Sequence, residues 1–497
     1  MISDFLRARV DEFIAKPPAL LIGGAWVAAR DVSVTAVINP ATGRVLSHVE
    51  LGGKADIARA VEAARTAFDD GPWTKMPSME RGKLLYKLAD LMEQAADELA
   101  LIETLDNGMP FWFARHVNVR GAIEGMRYQA GWVTKLNGET RNISLPGEWH
   151  AYTLREPLGV AGLIVPWNVP LAITLGKIGS ALAAGCTVVL KPAEQTPLSA
   201  LKLGQLVQEA GFPPGVINIV NGVGAAAGAA LVAHSGVDKI SFTGSTAVGK
   251  QILANAAQTM KRVSLELGGK SPVIVFPDAD LEAAAEAAAA GIFSNTGQVC
   301  AAGSRLFAHR AVFDKIIAGV EARAKALRVG PGIEPETQIG PVVSEIQQKR
   351  VLEYVKKGVE QGAEIVTGGN KIEREGYFVE PTVFVHTKPE MDIVRDEIFG
   401  PVLCAMPFDD ENLDEIARKA NDTVYGLSAS VWTRDVGIAH KMTRRIKAGT
   451  VRVNAAASMD PAMPFGGFKQ SGIGREQGRE GVEAYTELKS VAVKLGA

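Results

Sequence analysis

Three cysteines occur in the chain, and one of them sits where a thiol could do chemistry. Cys300 ends the polar run Ser294-Asn295-Thr296-Gly297-Gln298-Val299-Cys300, which joins a helical pattern to a strand-like one and leaves the sulfur accessible. Cys186, in Ala184-Gly185-Cys186-Thr187, and Cys404, in Val402-Leu403-Cys404-Ala405, read instead as small hydrophobes of the core. A cysteine nucleophile needs help to ionise and a base to finish the reaction. The nearest histidine in sequence, His309, lies at the far end of the strand-like run, and extended chain at about 3.3 Å per residue carries it out of hydrogen-bond reach. A cysteine–histidine dyad is therefore disfavoured. The seven histidines are scattered, no pair has metal-ligand spacing, and no metal is expected.

A carboxylate is the better partner. In Leu265-Glu266-Leu267-Gly268-Gly269-Lys270, Glu266 ends an apolar strand and two glycines follow, letting another backbone or a ligand come close. A lone glutamate in a strand is commonly a solvated edge residue. The flanking leucines and glycines favour burial, which raises a carboxyl towards base-like values. Ser241-Phe242-Thr243-Gly244-Ser245-Thr246-Ala247-Val248-Gly249 runs from strand to helix, so its backbone N–H groups and hydroxyls suit a pyrophosphate, or simply cap the helix. It is not a G-x-G-x-x-G loop. Val188-Val189-Leu190-Lys191-Pro192-Ala193-Glu194 ends another core strand with a lysine and a carboxylate, either solvated or placed to hold the hydroxyls of a ribose.

The elements that position these residues alternate. Short apolar runs at Val160 to Val165, Thr187 to Leu190, Val216 to Val220 and Lys239 to Phe242 are separated by helical stretches at Leu175 to Ala184, Leu198 to Ala210 and Ala225 to Ala233. A second set has strands at Pro272 to Phe276, Ala302 to Ala308 and Tyr377 to Val385, with helices at Leu281 to Gly291, Val312 to Leu327, Gln347 to Gln361 and Leu413 to Ala420. The fold class expected is α/β, with two parallel-sheet domains. Asp56 to Glu103 reads as two cover helices, and Met1 to Lys16 as a surface helix. Alternating segments at Arg141 to Leu154 and Tyr485 to Leu495 resemble exposed strands, hence a small β element for subunit contact. The division expected is residues 1–135 with 155–266 for a dinucleotide-binding domain, 267–475 for a catalytic domain, and 136–154 with 476–497 for the oligomerisation element.

With 497 residues, 47% hydrophobic and 22% charged, the composition is that of a folded globular protein. A formal charge of -2 gives no long-range attraction for nucleic acid or an anionic membrane, so a small-molecule partner is expected. No run of about 18 uncharged apolar residues suggests a membrane span. The amino end lacks the unbroken apolar stretch of a secretory signal, and sparse, odd-numbered cysteines suit a reducing compartment, so cytoplasm is the expected location.

Taken together, these segments resemble the aldehyde dehydrogenase superfamily, from about Leu21 to Leu495. The resemblance rests on Pro166-Trp167-Asn168, Lys191-Pro192-Ala193-Glu194, the Gly244 to Gly249 turn, Glu266-Leu267-Gly268-Gly269-Lys270, the segment ending in Cys300, Glu397-Ile398-Phe399-Gly400-Pro401 and Pro464-Phe465-Gly466-Gly467 in that order. It implies that Cys300 attacks an aldehyde, that the Asn168 amide and the Cys300 N–H hold the oxyanion, and that Glu266 activates water against a thioester, with Lys177 and Glu476 on a proton path. It implies NAD as cofactor. Lys191 and Glu194 would hold the adenosine ribose and Ser245 the pyrophosphate, Glu397 and Phe399 would meet the nicotinamide half, and Ile164, Pro166, Trp167, Gly224 and Gly244 would shape the groove.

Glu194 favours NAD over a cofactor phosphorylated at the ribose, by charge repulsion. Glu266 favours hydrolysis over transfer to CoA, because CoA-acylating relatives generally lack that carboxylate. Similar enzymes often place aromatics in the aldehyde tunnel where this chain has Val169 and Gly176. With Ile173, Val299, Ala457 and Met459 also apolar, a bulky apolar or aromatic aldehyde is expected. The alternatives are a CoA-acylating semialdehyde dehydrogenase and an enzyme for small or amino-aldehydes. A homodimer or homotetramer is implied as well.

Overall fold

The computed structural model describes residues 2–30, 33–409, 412–455 and 460–496. Two large sheets dominate it. The first has eight strands in the order Gly472–Ile473, Arg262–Glu266, Lys239–Thr243, Val160–Ile164, Thr187–Lys191, Ile217–Ile219, Leu20–Ile22 and Ala25–Val27. The five from Arg262–Glu266 to Ile217–Ile219 run parallel, and the short strands at either end are antiparallel. The chain builds outward from Val160–Ile164 in one direction, then returns to add Lys239–Thr243 on its other side. Strand order therefore reverses between these two, and in open α/β sheets ligands collect beyond the carboxyl ends at such a point.

The second sheet has seven strands, ordered Glu364–Thr367, Thr382–Val385, Val402–Phe408, Arg305–His309, Pro272–Val275, Ser428–Trp432 and Thr450–Val453, parallel except for the first pair. Only residues 267–271 separate the carboxyl end of Arg262–Glu266 in the first sheet from the amino end of Pro272–Val275 in the second. This short connector brings the ends of the two sheets together, and Glu266 stands at that junction.

Several boundaries differ from the pattern-based expectation. Three helices, Lys54–Asp69, Ser78–Gln94 and Ala96–Asp106, replace the expected two. The break falls at Ala95, and the last helix is buried on nearly every side, so it lacks the polar stripe that marks a helix boundary in sequence. Of Tyr377 to Val385 only Thr382–Val385 is strand, because Pro381 cannot donate to a ladder. The amino-terminal helix, Asp4–Ala15, is anchored by Val10 and Ile14 against Leu101, Ile102 and Leu105. Thr140–Arg141, Glu148–Pro157 and Thr486–Leu495 form a separate antiparallel sheet whose last strand is largely exposed. No helix among the described residues is long and apolar enough to cross a membrane.

Candidate active site

Cys300 is held by a loop with unusual backbone. Asn295, Thr296 and Gly297 adopt φ of 48°, 57° and 71°, three left-handed residues in succession. For the two that carry Cβ this conformation is unfavourable, so the loop persists only because side chains fasten it. Asn295 Nδ2 donates to the Asn168 carbonyl at 2.8 Å, Thr296 Oγ1 to the Gly340 carbonyl at 3.0 Å, and Gln298 Oε1 accepts from Val343 N at 2.9 Å. Asn168, only 4% exposed, donates its own Nδ2 to the Gln298 carbonyl at 2.9 Å. One N–H of that amide is thus spent on fixing it beside the Cys300 loop, and the other has no hydrogen bond among the described residues. Asn107 Nδ2 donates to the Trp167 carbonyl at 2.7 Å, and Glu103 accepts from Leu171 N at 2.8 Å, supplying the cap that the Pro170–Ala184 helix lacks at its own start.

Glycines set the approach distances. A Cβ on Gly269 would lie 2.2 Å from the Cys300 carbonyl oxygen, and one on Gly268 would lie 2.4 Å from Glu397 Oε2. The connector after Glu266 is therefore pressed against both the nucleophile loop and Glu397, whose Oε1 accepts from Gly269 N at 2.9 Å. Burial, with Glu397 and Glu266 nearby, pushes the half-buried Cys300 thiol up to about 12. Glu397 is itself raised to about 7 by burial.

Glu266 is 3% exposed, and among the described residues neither of its oxygens has a hydrogen-bond partner. Burial, reinforced by the charge of Glu476 and opposed by Lys177 and Arg475, holds it well above the usual carboxylate range. An unpartnered, raised carboxyl beside a thiol has the character of a general base. Lys177 Nζ donates to Ser241 Oγ at 2.8 Å and is ion-paired with Glu476, whose Oε1 accepts from Ser241 Oγ at 3.0 Å. The resemblance named Lys177 and Glu476 but not Ser241. Its signal in sequence was a polar residue alternating with Ile240 and Phe242 inside a buried strand.

A second group of expected residues lies along the carboxyl ends of the first sheet. Lys191 Nζ donates to Glu194 Oε2 at 3.1 Å. Ser245 is the N-cap of the Thr246–Ala256 helix, its Oγ accepting from Val248 N at 3.4 Å. A Cβ on Gly224 would meet nothing within 4 Å, whereas one on Gly244 would strike the Phe242 ring. Near these groups Val223, Val248 and Leu253 are exposed, an apolar border that the motif reading overlooked. Trp167 and Phe399 meet edge to face at 5.3 Å, and Phe399 has φ of 60°. Pro166 is half-buried, and Ile164, 7% exposed, packs into the core at the end of its strand. No side-chain hydrogen bond among the described residues joins this group to Cys300 or Glu266. Open glycine, free helix N-terminus, hydroxyl, ribose-sized ion pair and apolar border together fit a dinucleotide.

Of the residues expected to line an aldehyde channel, Val169, Ile173 and Val299 are half-buried, and Ala457 and Met459 lie outside the described residues. In the otherwise buried Pro170–Ala184 helix, Ala172, Ile173 and Gly176 form the one accessible stripe. In the Arg120–Ala130 helix, which packs against it, Gly121 and Gly125 share with Gly176 the property that an added Cβ would meet no atom within 4 Å among the described residues. Among the described residues no group of acidic, cysteine or histidine side chains could hold a metal ion.

A parallel-sheet scaffold whose strand-order reversal carries a helix N-terminus and a lysine–glutamate pair has the build of a dinucleotide-dependent oxidoreductase. The sequence profile of the Aldehyde dehydrogenase family matches residues 26–491, and the chain belongs to that family. It is 48% identical over 473 residues to the mitochondrial aldehyde dehydrogenase of Leishmania tarentolae, covering 95% of this chain and 94% of that one. To the phenylacetaldehyde dehydrogenase of Pseudomonas fluorescens it is 45% identical, with 96% of each covered. The NAD+ complex of an aldehyde dehydrogenase from Bacillus cereus superposes with a TM-score of 0.96 at 47% identity, over 98% of this chain and 99% of that one.

Proposed function

We propose that this enzyme, an NAD-dependent aldehyde dehydrogenase, releases a free carboxylic acid by way of a thioester on Cys300, and that its substrates are bulky apolar or aromatic aldehydes. The observation that carries the hydrolytic part is Glu266, buried at the junction of the sheets with neither oxygen hydrogen-bonded among the described residues. Cys300, its thiol proton released to solvent, bonds through Sγ to the aldehyde carbon, and the carbonyl oxygen, now an oxyanion, is met by the second N–H of Asn168 and the Cys300 backbone N–H. NAD, held by the residues named below, would supply the hydride acceptor for the thiohemiacetal carbon, which would leave a thioester on Cys300. Glu266 then takes a proton from water, the water oxygen bonds to the acyl carbon, and the C–S bond breaks with its electron pair on sulfur. Glu476, Lys177 and Ser241 carry that proton onward.

Lys191 and Glu194 would hold the adenosine ribose, and Ser245 with the helix it caps would hold the pyrophosphate. Ile164, Pro166, Trp167, Gly224 and Gly244 would form the groove, Glu397 and Phe399 would serve the nicotinamide half, and Val248 and Leu253 the adenine. The three-part division at residues 135, 155, 266 and 475 follows the same logic, with Thr486–Leu495 as the subunit contact of a dimer or tetramer.

The substrate reading is supported by the stripe Ala172, Ile173 and Gly176 and by the open faces of Gly121 and Gly125, which leave room for a ring. Glu266→Gln tests the hydrolytic part. It should keep a first-turnover burst of NADH and lose steady turnover; unchanged steady turnover would rule out Glu266 as the base. A panel in which acetaldehyde or a cationic aldehyde gives a higher kcat/KM than phenylacetaldehyde would overturn the substrate assignment.

A further inference from the structure

The face of the first sheet that meets the Pro170–Ala184 helix changes character across its width. Under Ala161, Leu163, Val188 and Leu190 it is apolar. In the next two strands the same face carries six polar residues in register, Lys239 beside Arg262, Ser241 beside Ser264 and Thr243 beside Glu266. The alternating positions, Ile240, Phe242 and Leu265, turn into the core on the other side. Interior parallel strands covered on both faces are ordinarily apolar throughout, and a buried ammonium is costly unless it is hydrogen-bonded. This polar stripe therefore has a cost that needs a function to offset it.

Its two ends lie in different surroundings. At the carboxyl end is Glu266, buried and unpartnered; at the amino end is Arg262, exposed and ion-paired with Glu487 at 2.8 Å. Between them lie two hydrogen-bonded groups side by side. Lys177 and Glu476 both bond to Ser241, Ser264 stands opposite Ser241 in the ladder, and Lys239 Nζ, in a residue 2% exposed, donates to Ser264 Oγ at 2.6 Å. The Tyr485 ring covers Lys239 at 4.8 Å, and its hydroxyl interacts with Ser241. End to end the stripe spans about 13 Å.

We infer that the proton taken from water by Glu266 leaves the protein along this stripe, through Glu476, Ser241 and Ser264 to the amine of Lys239 and out past Arg262, at the opposite end of the strands from Cys300. The inference rests on the reading of Glu266 as hydrolytic base. Each serine receives one proton and releases another, the neutral Lys239 amine becomes an ammonium, and that ammonium passes its proton to solvent. No electron changes hands. Burial holds the Lys239 ammonium down to about 8; Glu476 and Cys186 favour the charged form, and Lys177 and Arg262 oppose it. A group in that range gains and loses a proton readily near neutral pH.

The test uses the full-length enzyme with NAD and phenylacetaldehyde, following both the first-turnover burst and steady turnover across pH. Wild-type steady turnover should rise through pH about 8. Lys239→Met should lose that rise and fall roughly tenfold in steady turnover, while the burst keeps its size and rate. Lys239→Arg separates relay from fixed charge, since a guanidinium keeps its proton at these pH values. It should be as slow as Lys239→Met, and a wild-type rate and pH profile in Lys239→Arg would overturn the relay. Ser264→Ala, a small change that keeps the fold should the lysine variants not, should slow steady turnover several-fold; full turnover in it would likewise overturn the route. If Glu266→Gln itself turns over normally, the hydrolytic reading fails first. If Glu266→Gln behaves as expected and the Lys239 variants do not, only the relay fails.

Discussion

Two glycine-bearing regions of this enzyme use the missing side chain for opposite ends. Around Cys300, Gly268, Gly269 and Gly297 are glycines because nothing larger fits: an added Cβ would sit 2.1 to 2.4 Å from an oxygen of Gly400, Cys300 or Glu397. On the Arg120–Ala130 and Pro170–Ala184 helices, a Cβ added at Gly121, Gly125 or Gly176 would meet nothing within 4 Å among the described residues. The first region fixes atoms that must meet in one geometry. On the proposed reading the second takes a variable part of the substrate, and one helix, Pro170–Ala184, links the two by following directly on Asn168.

Substitutions that add volume should separate these roles. The largest effect is expected for Gly269→Ala, whose methyl would displace the Cys300 carbonyl; steady-state kcat should fall by roughly 100-fold, since misplacement by about 1 Å costs that much. Near-normal kcat would show that the loop yields and is not held as described. Gly176→Trp should act selectively, lowering kcat/KM for phenylacetaldehyde by about 10-fold or more while sparing acetaldehyde, with an unchanged melting temperature. Equal losses for both substrates would place Gly176 outside the substrate path.

Titration distinguishes the fixed region more finely. With the Cys300 thiol up at about 12, alkylation of the cofactor-free enzyme by iodoacetamide should keep rising about tenfold per pH unit through pH 10. A plateau near pH 8 would contradict the buried, carboxylate-flanked setting. The smallest effect concerns Glu103, which is raised to about 7 from 4.5, chiefly by burial. Because the folded state holds its proton more tightly, the stability it contributes is complete below pH 4.5 and is lost as pH rises through 7, with a slope of up to about 1.4 kcal/mol per unit. Glu103→Gln should flatten that part of the stability–pH curve; an unaltered slope would remove Glu103 from the supports of the helix bearing on Asn168.

Much of the fold was legible in the sequence because its parallel strands are short apolar runs separated by helices of clear period. The miscounted helices near Ala95 show the limit: Ala96–Asp106 is buried all round, and periodicity carries no signal where there is no polar face. Cys300 and Glu266 stood out by local context, a polar turn and a strand-ending acid before two glycines, whereas Asn168 came only from the family resemblance. Lys239, Ser241 and Ser264 did not, since a polar residue in alternation reads as a solvated strand face until the sheet order shows two covered faces. The left-handed Asn295 and Thr296 were equally hidden, because their conformation comes from hydrogen bonds to residues distant in sequence.

The central claim is that chemistry passes through a covalent acyl group on Cys300 that only Glu266 releases. Intact-protein mass spectrometry of Glu266→Gln, quenched after brief exposure to NAD and phenylacetaldehyde, tests it most directly. One acyl group per chain, mapped by digestion to Cys300, is the predicted result; an unmodified chain that has nevertheless produced a stoichiometric burst of NADH, or an acyl group on Cys186 or Cys404, would contradict it.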